Sequence, residues 1–464
     1  MRFLATSLSA FRRFASLSRC LRAPALASLV LVSGIDAAQA APRIEQWTAP
    51  TGAKVFFVAS HELPMIDIQI DFTAGAAFDP TGKSGVAGFT HALLDSGAGE
   101  LDEQAISERA ADLGLLLGGS MGEDRASLTL RTLSSARERD DSVALAATVL
   151  AHPRFPVEVL ERERVRALAN LREALTKPAV LAARAFNAAV YAGHPYGNNN
   201  DEKSLSAITR EDLVAFHTHH YGARNASIAI VGDLDRAAAE KIAIALTQNL
   251  PAGGKIEPLP VPLAPREGQV TRISNPSAQS HILIGQPGMS RDDPDYFPLL
   301  VGNHILGGGG FTSRLMKEVR EKRGFAYDIH SYFEPRRVLG PFRIGLQTKG
   351  SQSDLALDVV RATLTAFIAE GPTEKELRAA RDNLVNGFGL RLDSNAKILS
   401  HVAMIGFYNL PLDWLDSYPR TVSAVSREAV RDAFARRVRP AHLVTVIAGG
   451  DGDKGDGAEA PAKP

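Results

Sequence analysis

The chain has 464 residues, 45% of them hydrophobic and 22% charged, and its 52 basic residues are balanced by 52 acidic ones. That balance excludes the basic excess by which proteins bind nucleic acid, so no nucleic-acid partner is expected. The only cysteine, Cys20, excludes a disulfide framework and a thiolate zinc site.

The N-terminal segment has the features of an export signal. Five arginines lie within the first 22 residues, and residues 23–35 form an uncharged apolar stretch that is too short to span a bilayer. The Ala38-Gln39-Ala40 sequence fits a cleavage site, so residues 1–40 are predicted to be a signal peptide removed before Ala41. Removal lowers the basic residues from 52 to 47 and the acidic residues from 52 to 51, which leaves a net charge of about −4. No later stretch is long and apolar enough for a membrane span.

The remaining chain divides at a proline-rich stretch. Roughly 400 residues suit two domains of about 200 residues each. Residues 251–268 carry prolines at close intervals, which favours an extended linker. This boundary gives an N-terminal domain of residues 44–250 and a C-terminal domain of residues 269–448. Residues 449–464, rich in Gly, Asp, Ala and Pro, are predicted to be a disordered tail.

The strands and helices are segregated along each half. Apolar residues at alternate positions predict strands, and longer patterns rich in Ala, Leu, Arg and Glu predict helices. The predicted strands include residues 54–58, 65–74 and 127–132, and the predicted helices include residues 85–94, 103–113, 158–176, 179–191, 296–306 and 374–390. This order predicts an α+β fold in which a mainly antiparallel sheet in each domain is covered by helices.

The two halves end in the same way. In the first, Thr209 caps a short helix that leads to a β-branched strand at residues 226–233; in the second, Ser426 caps a helix that leads to a strand at residues 442–450. The pattern favours duplication of one unit, and a chance pair of helix–strand units is the alternative.

Several short motifs, in this order, resemble the pitrilysin/insulinase family of zinc peptidases. They are His61–Met65, Ala74-Gly75, Gly85–Leu94, His194–Gly197, Asn225–Gly232, Leu306–Leu315 and Val319–Tyr327. The resemblance covers residues 44–448. It implies two homologous domains with the mitochondrial processing peptidase-like fold and, with the export signal, a location in the periplasm.

The family's zinc motif, H-x-x-E-H on a helix, is degenerate in this chain. The resemblance places Gly88 at the first His, His91 at the general-base Glu and Ala92 at the second His. The carboxylate ligand falls on Asn170 when Glu163 is taken as the outer Glu of the family's E-x6-E pattern. Because glycine and alanine have no donor atoms, we predict no metal site here and expect zinc in a partner.

Five histidines are candidates for alternative ligands. His91 is either a remnant metal contact or base, or a packed helix histidine, and the second interpretation is favoured because no ligand stands four residues away. His217, His219 and His220 lie at a predicted helix end, where adventitious surface metal binding is the most they suggest. His194 precedes a proline in a turn and is interpreted as structural.

The second half retains another part of the family's machinery. Arg320 and Tyr327 match the Arg/Tyr pair that the family carries opposite its zinc, where the Tyr hydroxyl donates to the scissile carbonyl and the Arg binds substrate backbone. The alternative is a solvated charge run at residues 317–323 with an ordinary core tyrosine. Gly307, Gly308, Gly309 and Gly310 lack the phosphate-loop pattern, and the resemblance implies a flexible loop that binds substrate.

The resemblance therefore implies a non-catalytic subunit of a heterodimeric periplasmic peptidase. A homologous partner with H-x-x-E-H would supply zinc, while this chain would supply Arg320, Tyr327 and half of a chamber that takes peptides or small unfolded proteins. The rival hypothesis is a structural or peptide-binding scaffold without a role in proteolysis. Alone, the chain is expected to be inactive.

Overall fold

Two β-sheets, one in each half of the chain, carry the fold of the computed structural model. The structure describes residues 42–452, so the predicted signal peptide and residues 453–464 of the predicted tail lie outside the described residues. The strands are β1 (Glu45–Thr48), β2 (Lys54–Ala59), β3 (Met65–Phe72), β4 (Gly97–Ala98), β5 (Leu101–Asp102), β6 (Leu116–Met121), β7 (Ala126–Leu133), β8 (Ala226–Gly232), β9 (Gln269–Ile273), β10 (Gln279–Met289), β11 (Ile329–Phe333), β12 (Gly340–Lys349) and β13 (Val444–Gly449).

Helices fill the intervals between these strands. They are α1 (Val86–Ala92), α2 (Glu103–Asp112), α3 (Ala136–Ala151), α4 (Val157–Ala174), α5 (Pro178–Val190), α6 (Glu202–Ala207), α7 (Arg210–His220), α8 (Arg236–Thr247), α9 (Tyr296–Asn303), α10 (Ser353–Glu370), α11 (Glu374–Asn386), α12 (Asn395–Tyr408), α13 (Trp414–Ala424) and α14 (Arg427–Arg437). No helix in this part of the chain is long and apolar enough to cross a membrane.

The two sheets have the same topology. The first runs in the order β1-β2-β8-β3-β7-β6 and the second in the order β9-β13-β10-β12-β11. Apart from β1, each begins with a parallel pair, β2 with β8 and β9 with β13, and continues with antiparallel pairs. Thr209 and Ser426 cap α7 and α14, as the sequence predicts. The matching order supports duplication of one unit and confirms the mainly antiparallel α+β fold.

One helix from each half packs on the sheet of the other half. Helix α12 lies on β2, β3 and β8, and helix α5 lies on β10 and β13. Glycines allow the close approach: a Cβ at Gly406 would lie 2.6 Å from the Phe56 ring, and one at Gly285 would lie 2.9 Å from Phe186. The halves therefore cannot separate without exposing surface that these two helices bury.

Several predicted boundaries shift. The helix expected over residues 296–306 ends at Asn303 and passes into a wide π-type turn, His304–Gly308. The linker at residues 251–268 contains neither helix nor strand. The first residues of the predicted tail are held in place, because the amides of Gly450 and Gly452 both donate to the carbonyl of Ser277.

A buried carboxylate joins the two halves. Asp124, only 4% exposed, lies in the turn between β6 and β7. It accepts hydrogen bonds from the Tyr196 hydroxyl, from the Tyr408 hydroxyl at 3.0 Å and from the Arg337 amide at 2.8 Å. Two of these three donors belong to the second half of the chain.

Replacing Asp124 by alanine is expected to lower the free energy of unfolding by about 2–4 kcal/mol, because the change leaves buried donors without an acceptor. Urea unfolding followed by circular dichroism measures the change. Asp140→Ala is the control, since that side chain is 66% exposed and its loss should cost less than about 0.5 kcal/mol. Equal effects of the two substitutions would contradict a joining role for Asp124.

Candidate functional site

Helix α1, which carries the degenerate zinc motif, is capped by a side chain from the preceding loop. The Asp79 carboxylate accepts hydrogen bonds from the amides of Gly85 and Ala87, both at 2.7 Å. A negative charge is favourable at this end of a helix. Burial nevertheless raises the pKa of Asp79 to about 6, against the lowering effect of the two amides.

The family's ligand positions do come together in space. Gly88 and Ala92 of α1, with Glu163 and Asn170 of α4, line one pocket of about 460 Å³, and Met121 of the edge strand β6 lies beside them. The assignment of Asn170 to the carboxylate-ligand position stays a prediction, and its side chain lies on the same pocket as α1. Neither Arg320 nor Tyr327 lines this pocket.

The residues at this pocket do not fit zinc. Gly88 and Ala92 offer no donor atoms, and Asn170 offers a neutral amide. The two carboxylates of the lining are Glu163 and Asp79, and Asp79 already accepts from two amides, whereas zinc needs at least three protein ligands. Over residues 42–452 no group of three or more His, Cys, Asp or Glu side chains is placed to hold a metal ion. The prediction that this chain binds no zinc stays a prediction for metal analysis.

His91 is a packed helix histidine. Its Nδ1 is buried without a hydrogen-bond partner, and burial lowers its pKa, with Asp95 acting in the opposite direction. A Cβ at Gly119 of β6 would lie 2.7 Å from Cε1 of the ring. The absence of a side chain at Gly119 therefore leaves the space that the His91 ring occupies. Sequence spacing does not predict this contact.

Two of the three histidines at the end of α7 are not placed for adventitious metal binding at the surface, the most that the sequence suggests for them. His217 and His220 are buried, and their ring nitrogens donate to the carbonyls of Leu150 and Thr73 at 2.8 Å. Burial lowers the pKa of His220 to about 4 and also lowers that of His217. Only His219 is exposed. The amphipathic pattern of the helix did not reveal that these rings face its buried side.

His194 has the structural role that the sequence indicates. Its Nδ1 accepts from the Tyr196 amide at 3.0 Å, and its Nε2 donates to the carbonyl of Pro260 at 2.9 Å. The second bond fixes the proline-rich linker to the first half of the chain.

Arg320 and Tyr327 form a stacked pair at the surface. The guanidinium carbon of Arg320 lies 4.6 Å from the centroid of the Tyr327 ring and 4.8 Å from that of Phe311. Gly324, with φ +66°, ends the helical segment Met316–Glu321 and brings the tyrosine back beside the arginine. Tyr327 is 82% exposed, so it is not an ordinary core residue.

Arg320 also differs from the charge run around it. Lys322 and Arg323 both form ion pairs with Glu318. Within the described chain, the contacts of the Arg320 guanidinium are the two aromatic rings, with no carboxylate. A cation held by stacking keeps its N–H donors free, which is what binding of a carbonyl or carboxylate requires.

The four glycines lie just before this pair. Gly307 is buried, and a Cβ there would lie 2.4 Å from the Ser331 hydroxyl. Gly307 and Gly308 belong to the π-type turn, so the expected flexible loop is instead a compact helical turn. Gly309 and Gly310 continue it into a second turn that presents Phe311, which is 64% exposed, to Arg320. Substrate binding by these glycines stays a prediction.

The fold and the pocket together define a peptidase-like chain in which Gly88 and Ala92, at two of the family's metal positions, have no donor atoms. The model of the family described as Peptidase M16 inactive domain matches residues 207–384. The crystal structure of a peptidase M16 inactive domain from Pseudomonas fluorescens is 38% identical, with a TM-score of 0.85, and the match covers 88% of this chain and 97% of that one.

Curated proteins give a consistent result. An uncharacterised zinc protease from Streptomyces coelicolor is 30% identical over 215 residues, which is 43% of this chain and 44% of that protein. The non-peptidase homolog YmxG from Helicobacter pylori is 23% identical over 382 residues, 82% of this chain and 87% of that protein. This chain therefore belongs to the M16 peptidase family, the pitrilysin/insulinase family, and resembles its inactive members.

Proposed function

We propose that this chain is the non-catalytic subunit of a two-chain periplasmic zinc peptidase. The observation that carries the proposal is the Arg320–Tyr327 pair, which has no carboxylate partner within residues 42–452 and does not line the chain's own degenerate pocket. Arg320 and Tyr327 stand at the positions of the family's Arg/Tyr pair, but no metal site of this chain lies beside them in residues 42–452. They can therefore contribute to the zinc site of another chain. The export signal in the sequence supports the periplasm as the compartment.

The proposed chemistry follows from what the two side chains can donate. The partner, a homologue with H-x-x-E-H, supplies the zinc-activated water. The Tyr327 hydroxyl donates a hydrogen bond to the scissile carbonyl oxygen as negative charge develops on it, and Arg320 holds the substrate backbone. Such a donor needs to be free before substrate arrives. No partner within residues 42–452 occupies the Tyr327 hydroxyl or the Arg320 guanidinium.

The substrates in this proposal are extended peptides and small unfolded proteins. Each chain would contribute two homologous domains to a chamber, and a polypeptide would enter it as an extended strand. Strand β6 lies at the edge of the first sheet, beside the degenerate pocket, and most of its residues are exposed. An edge strand of this kind can pair with an extended peptide.

The test is reconstitution with a family member that has an intact H-x-x-E-H motif, from the same organism. Hydrolysis of a quenched fluorescent peptide is measured for each chain alone and for the mixture, with zinc determined in each sample. Activity of the mixture is expected to exceed that of the partner alone by roughly a hundredfold, because the partner lacks the oxyanion donor. Changing the partner's motif Glu to Gln controls for contaminating peptidases.

The opposite outcome identifies the rival function. If the two chains form a stable complex whose activity equals that of the partner alone, this chain is a scaffold or peptide-binding subunit. If this chain alone binds stoichiometric zinc and cleaves the peptide, the assignment of the degenerate motif is wrong.

A further inference from the structure

A second pocket, separate from the degenerate one, lies between helix α5 and the second sheet. Helix α5 covers β10 and β13 but leaves part of the same face of β12 and β11 open. The resulting cavity has a volume of about 290 Å³, which suits one or two residues of a peptide better than a large ligand. Tyr327 lines it, so the cavity adjoins the Arg320–Tyr327 pair.

Strand register brings polar side chains to this face. Arg343 of β12 stands between Tyr332 of β11 and Gly285 of β10. Two residues further along β12, Gly345 stands opposite His330 of β11. Because neighbours at this spacing point to one side of a strand, the face carries Arg343, Tyr332 and His330 together.

Arg343 has no ion-pair partner among residues 42–452. Its Nε is buried without a hydrogen-bond partner, and its guanidinium carbon lies 4.6 Å from the Tyr332 ring centroid. Burial lowers its pKa, and no carboxylate acts against that effect. Two other partly buried arginines have a carboxylate partner: Arg314 pairs with Glu376 and Arg336 pairs with Glu334. A half-buried cation without a counter-ion is costly unless a ligand supplies the anion.

The rest of the lining does not neutralise this charge. His281 and His330 lie on the same face, and the acid of the pocket, Asp328, is 3.2 Å from Nδ1 of His330. The opposite wall consists of small residues of α5, Ala179, Ala182 and Ala183. These methyl groups exclude water from one side of the pocket without supplying an acceptor to the guanidinium.

We propose that this pocket binds a carboxylate of an extended peptide through the Arg343 guanidinium. Arginine holds a carboxylate by two parallel N–H donors, and stacking on Tyr332 fixes the plane of the guanidinium for that geometry. Strand β11 is the edge strand of its sheet, so a peptide backbone has free groups to pair with beside the pocket. Binding of the carboxylate does not depend on the proposed function. Only the role of the bound peptide as a substrate rests on it.

The carboxylate can come from a peptide C-terminus or from an acidic side chain. Fluorescence anisotropy of the full mature chain distinguishes them with three forms of one short unstructured labelled peptide. The first has a free C-terminus and no acidic side chain, the second an amidated C-terminus and one internal Glu, and the third neither carboxylate. Because binding is measured without a partner, failure of the proposed peptidase role leaves this test interpretable.

Arg343→Met is expected to weaken binding of the carboxylate-bearing form by roughly ten- to hundredfold and to leave the third form unchanged. The same substitution is expected to keep or raise the melting temperature, because it removes an unpaired buried charge. Arg361→Met is the matched control: it removes the same charge from the other face of the sheet, where Arg361 contacts Thr445. Arg343→Lys keeps the charge and is expected to retain part of the affinity.

The outcomes are distinct. If Arg343→Met weakens binding of the first form alone, the ligand is a C-terminal carboxylate. If the substitution weakens binding of the second form, the ligand is an acidic side chain. If Arg343→Met and Arg361→Met bind all three forms as the unsubstituted chain does, the proposal is overturned. Should Arg343→Met fail to fold, unchanged binding by a folded Arg343→Gln chain would overturn it equally.

Discussion

Tyr327→Phe is expected to lower kcat of the reconstituted peptidase by about 10²–10³, with little change in KM. Removal of one preorganised oxyanion donor costs about 2.7–4 kcal/mol of transition-state stabilisation, and the ground-state carbonyl needs that donor less. Steady-state kinetics on a single peptide, with the partner at saturating concentration, measures both constants.

The stability of the subunit should not change with this substitution. Tyr327 is 82% exposed, and the ring that stacks with Arg320 remains in phenylalanine. The expected change in unfolding free energy is within about 0.5 kcal/mol, as for other surface positions. Tyr296→Phe serves as the control, because Tyr296 packs on Phe297 and Trp414 away from the pair. If both variants show unchanged kcat, the tyrosine has no catalytic role.

The sequence was most informative where local chemistry decides the structure. Alternating Ile66, Ile68 and Ile70 predict β3, whose partner strands cover it on both sides. Thr209 and Ser426 predict the starts of α7 and α14 because an N-cap acts within one helical turn. Asn170, to which the motif register assigns the carboxylate-ligand position, lines one pocket together with residues of α1.

Long-range packing could not be predicted in the same way. Nothing in the local pattern of α5 or α12 shows that each lies on the sheet of the other half, because an apolar helix face does not specify its partner. The contact of Asp124 with the second half could not be predicted for the same reason, because its donors Tyr408 and Arg337 lie more than 200 positions away in the sequence. The Arg343 pocket was missed because its two walls come from different halves of the chain.

Residue type does not predict the exposure of several histidine and tyrosine side chains. The position of His217 and His220 at a helix end suggests at most adventitious surface metal binding, whereas both donate to main-chain carbonyls inside the fold. Conversely, Tyr327 had a core alternative that its exposure removes. In both cases the residue type does not determine whether the side chain is buried. The direction in which the side chain points in the fold does.

Restoring the family's ligands at the degenerate pocket is expected to create a zinc site. The variant carries Gly88→His, His91→Glu, Ala92→His and Asn170→Glu. Residues 88 and 92 are one helical turn apart on α1 and line the pocket with Asn170, so three ligands would converge. A Cβ at Gly88 would have Met121 Cε as its nearest neighbour, at 3.6 Å, so that position has room for a side chain.

Stoichiometric zinc by elemental analysis is the expected result, together with a melting temperature that falls on chelation. Zinc at a hundred times its dissociation constant would stabilise the fold by about 2.7 kcal/mol. The control is the same variant with Gly88 retained, which lacks one imidazole and should lose zinc on dialysis. Zinc binding by the first variant alone would mean that substitution at these positions, without movement of α1 against α4, is what separates this chain from a metal-bearing relative. A folded four-residue variant that takes up no zinc would instead mean that the helices themselves have moved out of ligand distance.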